Sequence, residues 1–194
     1  MQQAWQKVDP TLYVRLYRQK SVSVLSKIPD GAIAGLIEIL NAARCENKQV
    51  FVCGNGGSAS TASHFAAGLS KEGSWGRDRR FRALSLNENV SWLTALANDT
   101  DYAEIFVEQL KNYAQPGDVL IAFSGSGDSE NIIRAVTWAN EHELCTIGIS
   151  GKTGGRLGKV VEHKVLVDTT HMGHIEEAHF LIQHLITYYF METE

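Results

Sequence analysis

The sequence predicts an α/β fold: a three-layer α/β/α sandwich around a five-stranded parallel sheet, with two helices leading into it. Three observations carry this. From Gln49 onward, short apolar runs alternate with helical patterns of about 10–15 residues, which implies parallel strands joined by right-handed crossovers. Two Gly/Ser-rich turns stand at the ends of such runs. A chain of 194 residues, 44% hydrophobic and 21% charged, has the balance of one globular domain rather than of two cores or a disordered polymer. The expectation is a single domain over 1–194, with 1–47 as helices for oligomer packing and 48–194 as the α/β core.

Asp9-Pro10 opens the first helix, with the carboxylate as N-cap and proline at the first helical position. Leu12, Leu16, Val22 and Leu25 carry it toward Ile28, where Pro29-Asp30-Gly31 breaks the chain. Ile33, Leu36, Ile37 and Leu40 space a second amphipathic helix. Both precede any strand and read as scaffold or oligomer interface. Val50 to Cys53 is the first strand, followed by Gly54 to Ser58 and a helix from Ala59 to Leu69. Lys71 to Arg82 is a polar loop and Ala83 to Leu86 the second strand. One helical region spans 90–113 and stops at Pro116-Gly117. Val119 to Phe123 enters Ser124 to Ser129 and a helix to His142. Thr146 to Ile149 and Lys164 to Val167 complete the sheet, and a last helix runs from His174 to Phe190.

The formal charge is −4, 18 Lys and Arg against 22 Asp and Glu, so no global field favours nucleic acid or an anionic membrane. No apolar run approaches the ~20 residues that cross a bilayer, and Met1 to Arg18 has no signal-peptide core. Cys45, Cys53 and Cys145 are odd in number and widely spaced, which argues against a disulfide framework and for a reducing cytoplasm. Cys53, last in a buried strand, reads as a small packing residue. Cys45 and Cys145 have no histidine at ligand spacing and read the same way. Trp75 to Arg82 holds four arginines and two aromatics. It reads as a solvated or interface loop; a substrate contact and a nucleic-acid patch are the alternatives.

The two turns lie where ligands bind in such a sheet, beyond the carboxyl ends of the strands. Gly54-Asn55-Gly56-Gly57-Ser58 lets the backbone turn sharply and approach a ligand closely, and leads into a helix whose first N–H groups are unpaired and partly positive. Ser124-Gly125-Ser126-Gly127-Asp128-Ser129 repeats the logic with three hydroxyls. Hydroxyls and backbone amides can wrap a phosphate without lysine. Neither turn matches the P-loop or the dinucleotide fingerprint.

These turns, with His64-Phe65-Ala66, Ala97-Asn98-Asp99 and Gly151-Lys152-Thr153-Gly154-Gly155 in order, make the chain resemble the sugar isomerase (SIS) domain family in its phosphoheptose isomerase branch. The resemblance covers nearly the whole chain. It implies a flavodoxin-like strand order and a homotetramer whose pocket is completed by neighbouring subunits. The activity it implies is conversion of sedoheptulose 7-phosphate to D-glycero-D-manno-heptose 7-phosphate, the entry to heptose for lipopolysaccharide. Phosphate binding then falls on Ser58, Ser124, Ser126 and Ser129, and sugar contacts on Asn55, Gly56, Gly57, Asn98 and Asp99, with Gly125 in the second turn.

Such an isomerisation needs a base to move a proton between C1 and C2 and a group to steady the oxyanion. Glu176 and His184 are eight residues apart, about 800°, and stand on nearly one face of the last helix. His171, His174 and His179 read as capping or hydrogen-bonded surface groups. The resemblance implies zinc ligands at His64 and His184, with His184 also catalytic, and Glu176 would complete a zinc site with an open position. The chain departs from the family twice. The glutamate expected four residues after His64 is Gly68, and the expected glutamine is Glu176. Glu176 is therefore the candidate base, metal ligand, or both, with His184 its partner acid; Glu72 is a more remote substitute. The missing glutamate also fits a non-catalytic phosphosugar-binding protein or one like the family's replication-initiator-associating branch, although all the turn serines are retained.

Overall fold

Asp9 starts the first helix as its sequence implies. Its carboxylate accepts from the Thr11 and Leu12 amides at 3.3 and 3.0 Å, with Pro10 at the first helical position. The computed structural model describes residues 9–193; the start of the Met1–Arg18 segment, 1–8, lies outside the described residues. Helix α1 (Pro10–Leu25) ends before Ile28, and α2 (Asp30–Cys45) follows the Pro29 break. Then come β1 (Gln49–Gly54), α3 (Gly57–Ser70), β2 (Arg82–Ser85), α4 (Val90–Asp99) and α5 (Val107–Tyr113). The chain closes with β3 (Val119–Ser124), α6 (Glu130–Glu141), β4 (Cys145–Gly151), α7 (Leu157–Val160), β5 (His163–Val167) and α8 (Met172–Glu192).

All four strand pairings are parallel, in the order β2-β1-β3-β4-β5. Alternate side chains bury on opposite faces. Val50, Val52, Val119, Ile121 and Phe123 pack with α2, α3 and α8, whereas Phe51, Cys53, Leu120 and Ala122 pack with α5, α6 and α7. Because β1 is flanked by β2 and β3, the chain changes direction between β1 and β3. This is the switch point at which open α/β sheets hold ligands. Gly54 and Phe123 are in register there, so the two turns leave the sheet side by side.

The expected helical region over 90–113 consists of α4, a 3₁₀ turn and α5. Thr100 and Asp101 sit between α4 and the 3₁₀ turn (Tyr102–Glu104); the Thr100 hydroxyl donates to the Leu96 carbonyl and the Asp101 carboxylate accepts from the Ala103 amide. Short polar side chains that bond their own backbone compete with the helix at that point. The short α7 has no counterpart in the sequence reading; it is one turn, too brief for a periodic signal.

Two of the histidines read as surface groups are buried. His174 is buried beside Ser21 and Glu177, at 3.2 and 3.4 Å from its Nδ1. His179 is fully buried against Phe123, neither ring nitrogen has a hydrogen-bond partner among the described residues, and burial pushes its pKa down to about 4. Only His171 behaves as expected, as the N-cap of α8. The folded state thus keeps His179 neutral while the unfolded chain binds a proton below the ordinary value of ~6.5. Stability is therefore lost as pH falls from about 6.5 toward 4, by on the order of 3 kcal/mol in full. The urea-unfolding midpoint of His179→Leu should change less between pH ~7 and ~4.5 than that of the wild type; equal slopes would refute this source of acid lability.

Candidate active site

The first turn is built by side chains from two other elements. Asn87, after β2, binds Gly54 at both ends: its Nδ2 donates to the Gly54 carbonyl at 2.8 Å and its Oδ1 accepts from the Gly54 amide at 3.2 Å. The Asn55 and Asn131 amides exchange two hydrogen bonds of 2.9 Å, and the Tyr102 hydroxyl donates to Asn55 Oδ1 at 2.9 Å. Asn55 therefore positions the loop in this conformation, and its side-chain oxygen already carries two donors. Asn87, Asn131 and Tyr102 escaped the sequence reading. Asn87 was findable, since it follows the carboxyl end of β2; the partners of Asn55 were not, because they come from 47 and 76 residues away.

The second turn rests on the Gly151–Gly155 segment. Gly127 adopts φ +74° and Gly155 φ +54°, and a Cβ on either would collide with the other's backbone or with Gly154. The Gly127 carbonyl accepts from the Leu157 amide, and Asp128 accepts from the Arg156 amide at 2.9 Å. Ser124 Oγ accepts from the Gly127 amide and Ser126 Oγ from the Asp128 amide, which curls the loop around its own hydroxyls. Ser129 is the N-cap residue of α6, yet its side chain makes no cap bond. Gly125 lies under Met172 and Ile175 of α8. Lys152, in the supporting 151–155 segment, is paired with Asp168 at 2.8 Å.

Helix α8 brings the acid and the imidazole to the first turn and to α3. The Glu176 carboxylate occupies the space that a Cβ on Gly57 would fill, 2.5 Å from that position. It thus lies at the positive end of α3, beside buried Ser58. Gly57 is required by this approach, not by its φ. Two turns along α8, His184 Nε2 meets His64 Nε2 of α3 at 3.1 Å, and Phe180 packs against both rings. Burial first, and the charge of His64 second, hold His184 below the ordinary histidine range. Its neutral form can take a proton. Glu72 lies near enough to His64 to be acidified by it, though its Lys71 partner does so more strongly.

The space left by Gly68 is filled. A Cβ there would be 2.9 Å from Thr187 Oγ1 and 3.0 Å from Thr187 Cγ2. The acid missing from α3 and the acid present on α8 are thus accommodated on the same pair of helices. Asn98 and Asp99 are exposed at the end of α4 and bonded to each other at 2.8 Å; in this segment it is Tyr102 that reaches the first turn.

Metal chemistry is partly supported by this geometry. Two nitrogens on one tetrahedral zinc stand about 3.3 Å apart, and the His64–His184 separation matches that. Glu176 is not close enough to both for the three to form a tight cluster. Among the described residues, the group of three whose ligand atoms all lie within 4.8 Å of one another is Cys145, Glu162 and His163. Cys145 therefore does have a histidine at ligand distance, which local spacing could not show because β4 and β5 bring the pair together. Cys53 is the buried packing residue expected, its thiol pushed up to about 12 by burial.

A family model described as SIS domain matches residues 16–151. The chain is 39% identical over 172 residues to the phosphoheptose isomerase of Bordetella avium, covering 87% of this chain and 84% of that one. Among solved structures, a phosphoheptose isomerase from Francisella tularensis superposes with a TM-score of 0.87 at 26% identity, covering 96% of this chain and 100% of that one. One from Neisseria gonorrhoeae superposes with a TM-score of 0.86 at 28% identity, covering 94% and 98%.

Proposed function

The chain belongs to the SIS domain family, and from that premise we propose how its residues carry out the phosphoheptose isomerase reaction. The reaction is an aldose–ketose isomerisation, sedoheptulose 7-phosphate to D-glycero-D-manno-heptose 7-phosphate. A proton leaves C1 of the ketose, an enediol forms, and a proton returns to C2 while the O1 proton departs to leave the aldehyde. The observation that carries the assignment is the placement by α8 of the Glu176 carboxylate at the first turn and of His184 on His64.

In this reading the phosphate takes the donors of Ser58, Ser124, Ser126 and Ser129 with the first amides of α3 and α6. The dipoles of both helices offset its charge. Glu176 takes the C1 proton and returns it to C2, and neutral His184 moves the hydroxyl protons between O2 and O1. Asn55, Gly56, Gly57, Asn98 and Asp99 face the sugar. Zinc would be held by His64 and His184 alone, with Glu176 left as the base, and would supply a Lewis acid for the oxygens at C1 and C2. Incubating the protein with a panel of ketose phosphates and following the aldose by NMR tests the reaction. Ser129→Ala should raise KM for the phosphorylated sugar more than it lowers kcat; an unchanged KM would remove Ser129 from the phosphate site.

We read the molecule as a homotetramer. Support comes from α1, which buries only Val24 and exposes Leu12, Tyr13, Val14, Leu16 and Val22, and from exposed Leu185, Tyr188 and Tyr189 on α8. No helix among the described residues is long and apolar enough to cross a membrane. The rival reading as a non-catalytic binding protein has one supporting feature, the lost carboxylate at Gly68. It predicts stabilisation by sedoheptulose 7-phosphate without any aldose in the NMR assay.

A further inference from the structure

Far from these turns, at the opposite end of the sheet, three ligand-bearing side chains converge. Cys145 is the first residue of β4, His163 is the first of β5, the edge strand, and Glu162 immediately precedes it. β4 pairs Ile147 with His163, so Cys145 and His163 have the same parity on adjacent strands as the residues that face α2 and α8. Their ligand atoms and a Glu162 carboxylate oxygen all lie within 4.8 Å of one another. The backbone under them is fixed. The Glu162 amide donates to Thr146 Oγ1, which donates to Asn140 Oδ1 at 2.7 Å, and Asn140 Nδ2 in turn donates to the Val160 carbonyl at 2.7 Å. Glu162 and His163 are exposed, which leaves an entry path, while Cys145 is half-buried.

We propose that Cys145, Glu162 and His163 form a second divalent-cation site, of zinc type, that ties the edge strand β5 to β4. One thiolate, one imidazole and one carboxylate are a donor set that tetrahedral zinc takes, with the fourth position left to water, whereas magnesium and calcium demand oxygen. The role is structural. The site stands at the amino ends of the strands, about 20 Å along β4 from Gly151, at the sheet's other end. Binding releases the thiol proton to solvent and changes no oxidation state.

Cobalt(II) separates this site from the proposed His64–His184 zinc position, because only a cysteine gives a thiolate-to-cobalt charge-transfer band. The expected result on the full-length, metal-stripped protein is such a band, saturating at one cobalt per chain and erased by zinc. Cys145→Ser should abolish it and His163→Gln should weaken cobalt binding at least tenfold, while Cys45→Ser leaves it unchanged. Circular dichroism in chelator should match across all the variants, and because Glu162 and His163 are exposed, His163→Gln and Glu162→Gln test the site even where Cys145→Ser unfolds. No band at saturating cobalt, or a band that survives Cys145→Ser or is unaltered by His163→Gln, would overturn the proposal. Loss of isomerase activity would leave it standing, since its readout does not pass through turnover.

Discussion

Glu176→Gln is expected to lower kcat by about 10²–10⁴-fold, the contribution of a positioned general base, while leaving KM within a few-fold of the wild type. Glutamine has the shape of glutamate, so it still fits the space against Gly57 that a larger or rotated group would not. What disappears is the ability to take the C1 proton. The resemblance adds a second arm, because the family carries its carboxylate on α3, at the position of Gly68. Restoring it with Gly68→Glu alone should fail, since the new Cβ meets Thr187 Oγ1 at 2.9 Å. Gly68→Glu with Thr187→Ala in the Glu176→Gln background should recover part of the lost turnover. A Glu176→Gln enzyme with turnover within twofold of the wild type would show that the base lies elsewhere.

Gly127→Ala should destabilise the protein by about 4 kcal/mol or more and lower Tm by roughly 10 °C or more, at about 2–4 °C per kcal/mol for a chain of this size. Two costs combine. At φ +74° an L side chain is strained, by about 1–2 kcal/mol. Its Cβ would also overlap the Gly154 carbonyl group, whose carbon is 2.6 Å away, and approach the Gly155 nitrogen at 3.0 Å, both backbone atoms that cannot rotate aside. The second turn would then part from the 151–155 segment that supports it. Gly56→Ala isolates the first cost, because Gly56 has φ +57° but nothing within 4 Å of a Cβ. It should lose only that first cost, about 1–2 kcal/mol. Equal melting temperatures for the two variants, by thermal circular dichroism, would show that the contact with Gly154 carries no weight.

Much of the architecture was legible because it follows from local signals. The Asp9-Pro10 start, the Pro29 break and the β-run periods are properties of neighbours in sequence, and α1, α2 and the strands appear within a few residues of where those signals place them. The 90–113 region is helical as its pattern implies, but its interruption was not legible, because helical propensity says little about where Thr100 and Asp101 will bond nearby backbone. The histidines divide in the same way. His171 could be read as a cap from its place before an apolar run. The burial of His179 depends on which face of α8 meets β3, and the partners of Cys145 on the pairing of β4 with β5.

The sequence by itself determined the layered α/β plan, the two hydroxyl-bearing turns and their place at strand ends, since periodicity, glycine content and capping chemistry act over a handful of residues. Only the tertiary structure decided that Glu176 reaches Gly57, that Thr187 fills the space beside Gly68, and that His64 meets His184. The reason is physical. Each of these meetings is fixed by how one whole helix docks against another, and docking is set by the summed burial of side chains scattered along the chain rather than by any short stretch of it.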